Sequence, residues 1–222
     1  MTTTVVIPTW NKAAMLSDCL DNIHGADVLV VDNGSTDGTV EMLVARQVPH
    51  LALATNEGFA AACNKGARET DSDVVIFLNN DTLPTAGWWE AMAAEVSAER
   101  PIVGCHLTYA DGATQHAGII FTRPSRVLTA VNITEPRPSG PRSAVTGACM
   151  AVHRETFLSV GGFNEGFRNG YEDVDLCLAL GGAWYAAAAT VVHLESRTPG
   201  RFDHAQHNID LLQQRWGQGA KP

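Results

Sequence analysis

Apolar segments rich in β-branched residues alternate with amphipathic helical segments four times in the first half of this 222-residue chain. Short apolar runs bounded by turn residues predict buried strands, and apolar residues three or four apart predict helices. The strand–helix pairs are TTVVIPTW and KAAMLSDCLDNI, ADVLVVDNGS and TVEMLVARQ, HLALATN and GFAAACNKGARE, SDVVIFLNN and AGWWEAMAAEVSA. Pro84 is predicted to open the fourth helix. Four such units predict a parallel sheet covered by helices on both faces.

Polar residues stand where these predicted strands end. Thr9, Asp32, Asn56 and Asp81 each fall at or just after the carboxyl end of a strand. In open parallel sheets, ligands bind in the crevice outside those ends. We therefore expect the four residues to converge on one crevice.

The regular alternation of predicted strands and helices ends in the second half of the chain. Its predicted strands are PIVGCHLTY, HAGIIF, VTGACMAVH and AWYAAAATVVH, and its predicted helices are RETFLSV, YEDVDLCLAL and HAQHNIDLLQQRW. Residues 123–142, rich in Pro and Arg, are interpreted as a mobile loop and a candidate lid, because compact domains rarely keep long structureless segments without a function. We expect one domain over 1–222, with halves of about 1–100 and 101–222.

Composition excludes some classes of protein. A net charge of −9 and a pI near 5.3 argue against nucleic acid as the main partner, since that binding needs a basic face. The five cysteines include no CxxC pair, which favours reduced thiols in the cytoplasm. No signal peptide or membrane-spanning stretch is predicted, so we expect a soluble, cytoplasmic chain, with peripheral association at the inner face of the membrane left open.

Eight motifs occur in an order that resembles a known family. They are VVIPTWN, VVDNGSTDGT, NEGFAAACNKGAR, FLNNDT, DGATQHAG, VTGACMAVHRETFLSVGGFNEGF, YEDVDLCL and HLES. Each is weak alone, but together they resemble family 2 glycosyltransferases of the GT-A fold, in particular bacterial rhamnosyltransferase-like enzymes of polysaccharide synthesis. The resemblance implies an α/β fold: a Rossmann-like, mostly parallel sheet with helices on both faces and a smaller acceptor-side mixed sheet.

The resemblance gives FLNNDT a role in binding a divalent cation. It implies that Asp81 holds Mn²⁺ or Mg²⁺ against a nucleotide diphosphate, an ion that usually takes few protein carboxylates plus phosphate and water oxygens. His193, in HLES, is a further predicted ligand, and an imidazole favours Mn²⁺ somewhat. Asn79 and Asn80 stand where many relatives carry another acid. The alternative is a strand-end turn that uses Asn and Asp for its turn chemistry.

The nucleotide would lie along the first three strand ends. The resemblance implies that Asp32 contacts the pyrimidine base or its ribose, because a carboxylate can accept from a base N–H and reject other partners. The other residues that we predict near the nucleotide are Pro8, Thr9, Asn11, Asn56, Gly58, Asn64, Asn79 and Asn80.

The YED motif is the candidate catalytic group. The family uses the second acid of this pair as the general base, so we predict Asp173 as base, with Glu172 positioning the acceptor or Asp173 itself. In-line displacement needs that base across the sugar from the diphosphate. The alternative is that both are first-turn helix acids, which the helix dipole favours.

Other residues are predicted to border the sugars. Gln115 and His116 would form part of the donor or acceptor pocket. Gly147 and Ala148 would let the backbone approach the donor sugar, although small residues equally permit tight packing. Trp88 is predicted to stack on a sugar, with Trp89 as the core residue.

These predictions describe an inverting transfer from a UDP- or dTDP-sugar to a hydroxyl of a saccharide, lipid-linked or protein acceptor. Two alternatives remain. A nucleotidyltransferase that makes the sugar nucleotide is disfavoured, since PTWNKAAML is not a Gly-rich, basic phosphate loop. A non-catalytic module that binds nucleotide sugars is supported by the single carboxylate of NND, whereas the intact YED argues against it.

Overall fold

The structure is a computed structural model, and it describes residues 1–123, 127–195 and 203–217. Its strands in chain order are β1 (Thr3–Thr9), β2 (Asp27–Asp32), β3 (His50–Ala52), β4 (Val74–Leu78), β5 (Thr82–Pro84), β6 (Ile102–Thr108), β7 (Thr114–His116), β8 (Ile119–Thr122), β9 (Thr129–Asn132), β10 (Gly140–Arg142), β11 (Cys149–His153) and β12 (Ala183–His193). Its helices are α1 (Ala13–Asp21), α2 (Thr39–Ala45), α3 (Phe59–Glu69), α4 (Trp88–Ala93), α5 (Arg154–Ser159), α6 (Glu172–Ala179) and α7 (Ala205–Trp216).

The first half forms a parallel sheet, as the alternating pattern predicts. Strand β1 lies between β2 and β4, and β3 follows β2, all in parallel. Consecutive residues of β1 and all of β4 are buried, which is the pattern of a strand covered on both faces. Val5 and Ile7 pack into one hydrophobic cluster and Val6 into another, so a core lies on each face of the sheet.

The second half extends the same sheet with mixed strand directions. Strand β11 pairs antiparallel with both β4 and β6, and β12 runs parallel to β6. The sheet order is β10-β12-β6-β11-β4-β1-β2-β3, and β5 and β7 pair with β12 and β6 outside this path. The fold is therefore α/β with a large, mostly parallel sheet, and the β4–β11 and β5–β12 ladders link the two halves. The predicted strand HAGIIF is divided between β7 and β8 at Gly118, whose φ is 109°.

The prediction that residues 123–142 are structureless is wrong for their described part. Strand β9 pairs with β8 as a separate two-stranded ribbon, and β10 pairs with β12 at the edge of the main sheet. Residues 124–126 lie outside the described ranges. The alternating segment around Val131 is a short strand signal that the neighbouring Pro and Arg residues hide, so this segment gives no support for a lid.

Pro84 does not open a helix. It lies in β5, opposite Val191 of β12, and helix α4 begins at Trp88 after Gly87, whose φ is 77°. Strand β5 pairs only with β12 among the described strands, and an edge strand tolerates the missing N–H of proline. The described ranges contain no helix with both the length and the apolar character needed to cross a membrane.

Gly66 sets how closely α3 approaches the sheet, which gives a stability test. A Cβ at Gly66 would overlap Val6 Cγ1 and lie 3.0 Å from Val31 Cγ2. We expect Gly66→Ala to lower the free energy of unfolding by about 1–3 kcal/mol through overpacking, despite the better helix propensity of alanine. Urea denaturation measures this difference.

Gly140→Ala is the matched control, because the Cβ would meet nothing nearer than Arg142 Nη1 at 3.7 Å. It should change the free energy of unfolding by less than about 0.5 kcal/mol. Equal effects of the two variants would contradict close packing at Gly66.

Candidate active site

One crevice of about 240 Å³ lies at the carboxyl ends of the central strands. It is bordered by the ends of β1 and β4, the segment before β11, the start of α6 and the end of β12. The predicted residues on its lining are Pro8, Thr9, Asn56, Asn79, Asn80, Asp81, Gly147, Ala148, Glu172, Asp173 and His193. Residues far apart in sequence therefore meet at the position that the strand order predicts.

Asp81 and His193 face each other because β5 pairs with the end of β12. In that antiparallel ladder His193 lies opposite Thr82, and Leu194 N donates to the Asp81 carbonyl at 2.9 Å. The side chains meet with His193 Nε2 3.2 Å from Asp81 Oδ1. Each residue is only 7% exposed, so the pair lies at the floor of the crevice.

The donor atoms of this pair fit a divalent cation. Adjacent ligands of a six-coordinate ion with bonds of about 2.1 Å lie about 3 Å apart, close to the separation here. In the described parts of the chain, no group of three or more His, Cys, Asp or Glu side chains is arranged to hold a metal. A cation on Asp81 and His193 would thus take its remaining ligands from phosphate and water, which suits Mn²⁺ or Mg²⁺.

Gln115 contacts His193 rather than the crevice, contrary to its predicted place in a sugar pocket. Its Oε1 lies 2.7 Å from His193 Nδ1, and its Nε2 donates to the His193 carbonyl at 3.2 Å. At 8% exposure the side chain is buried behind the histidine. Its amide therefore acts on the pair through His193.

Asp173 also lines the crevice and lies in the first turn of α6. Gly147 N donates to its Oδ2 at 2.8 Å, and Val174 N donates to its Oδ1 at 2.8 Å. The residue is partly exposed to the crevice. Burial raises the pKa of its carboxyl group, although the backbone N–H groups of Gly147 and Val174 act in the other direction.

The segment before α6 holds both acids in place. Glu172 is buried and accepts a hydrogen bond from Gly170 N at 2.7 Å. Asn169 and Tyr171 have φ values of 52° and 72°, which a bulky tyrosine rarely adopts. Strained backbone of this kind persists only where surrounding contacts determine it, and it is common at functional sites.

Helix α7 supports α6 from behind. Asp175, 4% exposed, accepts hydrogen bonds at Oδ1 from Arg215 Nε and Trp216 Nε1, both at 2.7 Å. Asn208 binds the backbone N and O of Arg168 at 3.0 and 2.9 Å. Both contacts fix the segment that leads to Asp173.

Asp32 lies below the crevice surface and keeps one oxygen unpaired. It is 1% exposed, and its Oδ2 accepts from Ser35 N at 3.1 Å. Its Oδ1 is buried without a hydrogen-bond partner among the described residues. A buried carboxylate oxygen without a donor is costly, so a ligand N–H or O–H would satisfy it.

Three residues predicted near the nucleotide are not among the described residues that line the crevice. Asn64 is buried and joins α3 to the 163–165 segment, accepting from Phe163 N at 2.8 Å and donating to the Phe163 carbonyl at 2.9 Å. Asn11 Oδ1 accepts from Thr36 N at 2.9 Å. Gly58, with a φ of 91°, turns the chain into α3. The spacing of apolar residues in the sequence could not show which way these side chains point.

Two further assignments to the sugar pocket are corrected. Trp88 is 2% exposed and packs in the core, whereas Trp89 is half-buried at the surface and donates to the His24 carbonyl at 3.0 Å. The buried residues Trp88 and Met92 are four positions apart and form the core-facing side of α4, so Trp89 lies off that side. His116 lies beneath Thr146, whose N–H donates to His116 Nε2 at 3.3 Å, and burial lowers its pKa to about 4.

Several residues on the crevice lining were missed by the sequence reasoning. The exposed Trp10 and the left-handed Lys12 follow β1, and Thr146 precedes Gly147. The remaining missed lining residues are Asn33, Phe59, Asn169 and Gly170. Their neighbours in sequence were singled out, but only the folded backbone shows that these side chains face the same space.

Comparison with known proteins gives the family of the chain. The sequence pattern that defines "Glycosyl transferase family 2" matches residues 4–157. The chain belongs to glycosyl transferase family 2. It is 33% identical to an N-acetylglucosaminyl-diphospho-decaprenol L-rhamnosyltransferase of Mycobacterium tuberculosis, over 81% of this chain and 70% of that protein. It is 28% identical to the O-antigen biosynthesis protein RfbC of Myxococcus xanthus over 86% of this chain.

Solved structures share the fold. The mannosyltransferase PcManGT from Pyrobaculum calidifontis, in complex with GDP-Man and Mn²⁺, superposes with a TM-score of 0.70 at 20% identity, covering 99% of this chain and 65% of that one. The predicted GT-A glycosyltransferase fold is confirmed. This family 2 chain spans between 17% and 38% of the length of several curated relatives that it matches.

The contrast between Asn64 and Asn56 gives a test of the site. Asn64→Ala leaves the Phe163 backbone groups unpaired, so we expect a loss of about 1–3 kcal/mol in the free energy of unfolding and an unchanged affinity for UDP. Urea unfolding and calorimetric titration measure the two effects.

Asn56→Ala is the matched variant on the exposed crevice lining. It should weaken UDP binding several-fold, and the loss of its exposed hydrogen bond from Gly58 N should lower the free energy of unfolding by no more than about 1 kcal/mol. Weaker nucleotide binding by a stable Asn64→Ala protein would show that Asn64 serves the ligand after all.

Proposed function

We propose that residues 1–222 form the catalytic domain of a metal-dependent, inverting glycosyltransferase that moves a hexose from a pyrimidine-diphosphate sugar to a hydroxyl group. The observation that carries this proposal is that one crevice is lined both by the Asp81–His193 pair and by Asp173. An in-line displacement needs a leaving-group site and a base on opposite faces of the sugar. Family membership supports the reaction class.

The diphosphate end of the donor requires a cation on electrostatic grounds. Asp81, Glu172 and Asp173 line the crevice, and Lys12 is the one Lys or Arg among its described lining residues. Such a lining would repel a diphosphate unless positive charge is added. A divalent cation at Asp81 and His193 would supply that charge and stabilise the leaving diphosphate. The Mn²⁺ complex of the mannosyltransferase neighbour is consistent with this proposal.

The unpaired Asp32 Oδ1 supports a pyrimidine nucleotide. The ring N–H of uracil or thymine would satisfy this buried carboxylate oxygen, and N–H groups of other bases could do the same. Thr9, held by Asn80 Nδ2 at 2.8 Å, and the exposed Trp10 lie beside the same strand end. We therefore infer a UDP- or dTDP-sugar.

Asp173 is the proposed general base. The backbone N–H groups fix the orientation of both its oxygens, which leaves lone pairs free for an acceptor hydroxyl. A raised pKa makes the ionised carboxylate a stronger base than an ordinary aspartate. Glu172 would position the segment through Gly170 N.

The acceptor is proposed from the relatives. The rhamnosyltransferase relative is named for a diphospho-decaprenol acceptor, and RfbC is named for O-antigen biosynthesis. We infer a saccharide hydroxyl in glycan assembly, on a lipid-linked carrier in the first instance. Peripheral contact with the membrane would then follow from the acceptor.

A screen of sugar nucleotides tests the activity. With Mn²⁺ present, we expect release of UDP or dTDP from at least one pyrimidine-diphosphate hexose, measured by chromatography of the nucleoside diphosphate. Excess EDTA should abolish the release, and added Mn²⁺ should restore it. Release that persists unchanged in EDTA would overturn the metal requirement, and nucleotide binding without turnover of any donor would favour the binding module.

Replacing Asp173 tests the base. We expect Asp173→Asn to lower kcat by about 10²–10⁴-fold, because the amide cannot take the proton from the acceptor. Thermal unfolding should change little, since removal of a buried charge offsets the loss of one hydrogen bond. Glu155→Gln is the control: Glu155 is an exposed acid in the first turn of α5, and its replacement should leave kcat unchanged.

The pH dependence of kcat/KM is a second test of Asp173 as the general base. The base works only when ionised, and its pKa is raised. The acid limb of kcat/KM should therefore lie above the ordinary aspartate value of about 3.9 and disappear in Asp173→Asn. Because the pKa of Asp173 is raised in the folded protein, the free energy of unfolding falls as pH rises from the ordinary value to the raised one. A limb retained in the variant would assign the proton transfer elsewhere.

A further inference from the structure

The Gln115 amide binds two different groups of one residue, His193. Its Nε2 lies 3.2 Å from the His193 backbone oxygen, and its Oε1 lies 2.7 Å from the ring Nδ1. A backbone carbonyl can only accept, so the amide nitrogen must face it. That choice fixes the amide orientation without reference to hydrogen positions. Oε1 therefore faces the imidazole and can only accept.

The orientation of the amide determines the tautomer of His193. Because Oε1 accepts, Nδ1 must carry a hydrogen, and in the neutral ring the lone pair is then on Nε2. Nε2 is the atom that lies 3.2 Å from Asp81 Oδ1. Two electron-rich atoms then lie 3.2 Å apart, close to the separation of adjacent ligands on a divalent cation.

We propose that Gln115 is a positioning residue that holds His193 in the Nδ1–H tautomer and directs Nε2, together with Asp81 Oδ1, at the divalent cation. This inference rests on the proposed function for the identity of the cation. It gives the DGATQHAG motif a role that neither the sequence nor the comparisons assign. Gln115 acts through His193 and touches neither donor nor acceptor.

The surroundings of Gln115 support such a role. Its backbone carbonyl accepts from Asn132 Nδ2 at 2.8 Å, which ties β7 to the end of β9. Its side chain is buried, and both polar atoms of its amide are used on His193. A partner that orients a ligand histidine typically contributes 10–100-fold to metal affinity.

Substitutions at Gln115 separate the two hydrogen bonds. Gln115→Met keeps the length of the side chain and removes both bonds, so neither the tautomer nor the ring orientation is fixed. Gln115→Glu keeps an acceptor for Nδ1–H, and it replaces the donor to the His193 carbonyl with a charged oxygen. Tyr185→Phe is the control: it deletes a hydrogen bond of the same strand β12, between Tyr185 Oη and His106 Nδ1, without contact to His193.

Mn²⁺ binding in the presence of UDP, measured by electron paramagnetic resonance, is the first readout. We expect Gln115→Met to weaken Mn²⁺ binding about 10–100-fold, and Gln115→Glu and Tyr185→Phe to stay within about 3-fold of wild type. Wild-type affinity in a folded Gln115→Met protein would overturn the inference and leave the proposed function standing. Absence of Mn²⁺ binding by wild type would overturn the cation of the proposed function and, with it, this inference.

The tautomer itself is the second readout and needs no metal. Nitrogen-15 NMR of the metal-free wild-type protein at mildly alkaline pH, with the signal assigned by loss in His193→Gln, should show the proton on Nδ1. Gln115→Glu should show the same tautomer, and Gln115→Met should show a mixture. A wild-type proton on Nε2 would overturn the inference even if every Gln115 variant failed to fold.

Discussion

The antiparallel ladder between β5 and β12 is the constraint on which the candidate site depends. The main sheet holds β4 and β12 apart with β6 and β11 between them, so only this further ladder brings the loop after β4 against the end of β12. The ladder places His193 opposite Thr82 and thereby brings an imidazole and a carboxylate within 3.2 Å. Gln115 then orients the imidazole from behind. The β5–β12 ladder sets the distance between Asp81 and His193, and the buried Gln115 amide determines which ring nitrogen of His193 carries the proton.

The two sides of the crevice are linked by the backbone of residues 146–148. Asn79 N donates to the Ala148 carbonyl at 2.9 Å on the cation side, and Gly147 N donates to Asp173 Oδ2 at 2.8 Å on the base side. A Cβ at Gly147 would lie 3.3 Å from the Phe59 ring and 3.5 Å from Asp173 Cβ. Small residues here serve close approach of the backbone to the acid, one of the two alternatives that the sequence left open. A single segment thus fixes the separation between leaving-group site and base.

Sequence periodicity predicted the strands well because burial on both faces leaves a plain apolar signal, as in β4. It also placed Asp81, Asp173 and His193 at the ends of strands and helices, where the order of the strands in the sheet determines which residues come together. It failed where the direction of a side chain matters. Asn64 and Asn56 are both polar residues beside α3, yet one is buried against the Phe163 backbone and the other lines the crevice. No local pattern distinguishes them, since the partner of Asn64 is about a hundred residues away.

The part of the chain beyond the family match completes the site. The match ends at residue 157, but Asp173 and His193 follow it. The helix that carries Asp173 also carries the buried acid Asp175, whose carboxylate needs hydrogen-bond donors. Two residues of α7 donate to Asp175 Oδ1: Arg215 from its charged guanidinium group and Trp216 from its indole N–H. Buried acids are stable only when paired and hydrogen-bonded, so α7 is required wherever α6 is to keep its place. The C-terminal helix therefore contributes to the geometry of the base through contacts that lie outside the crevice.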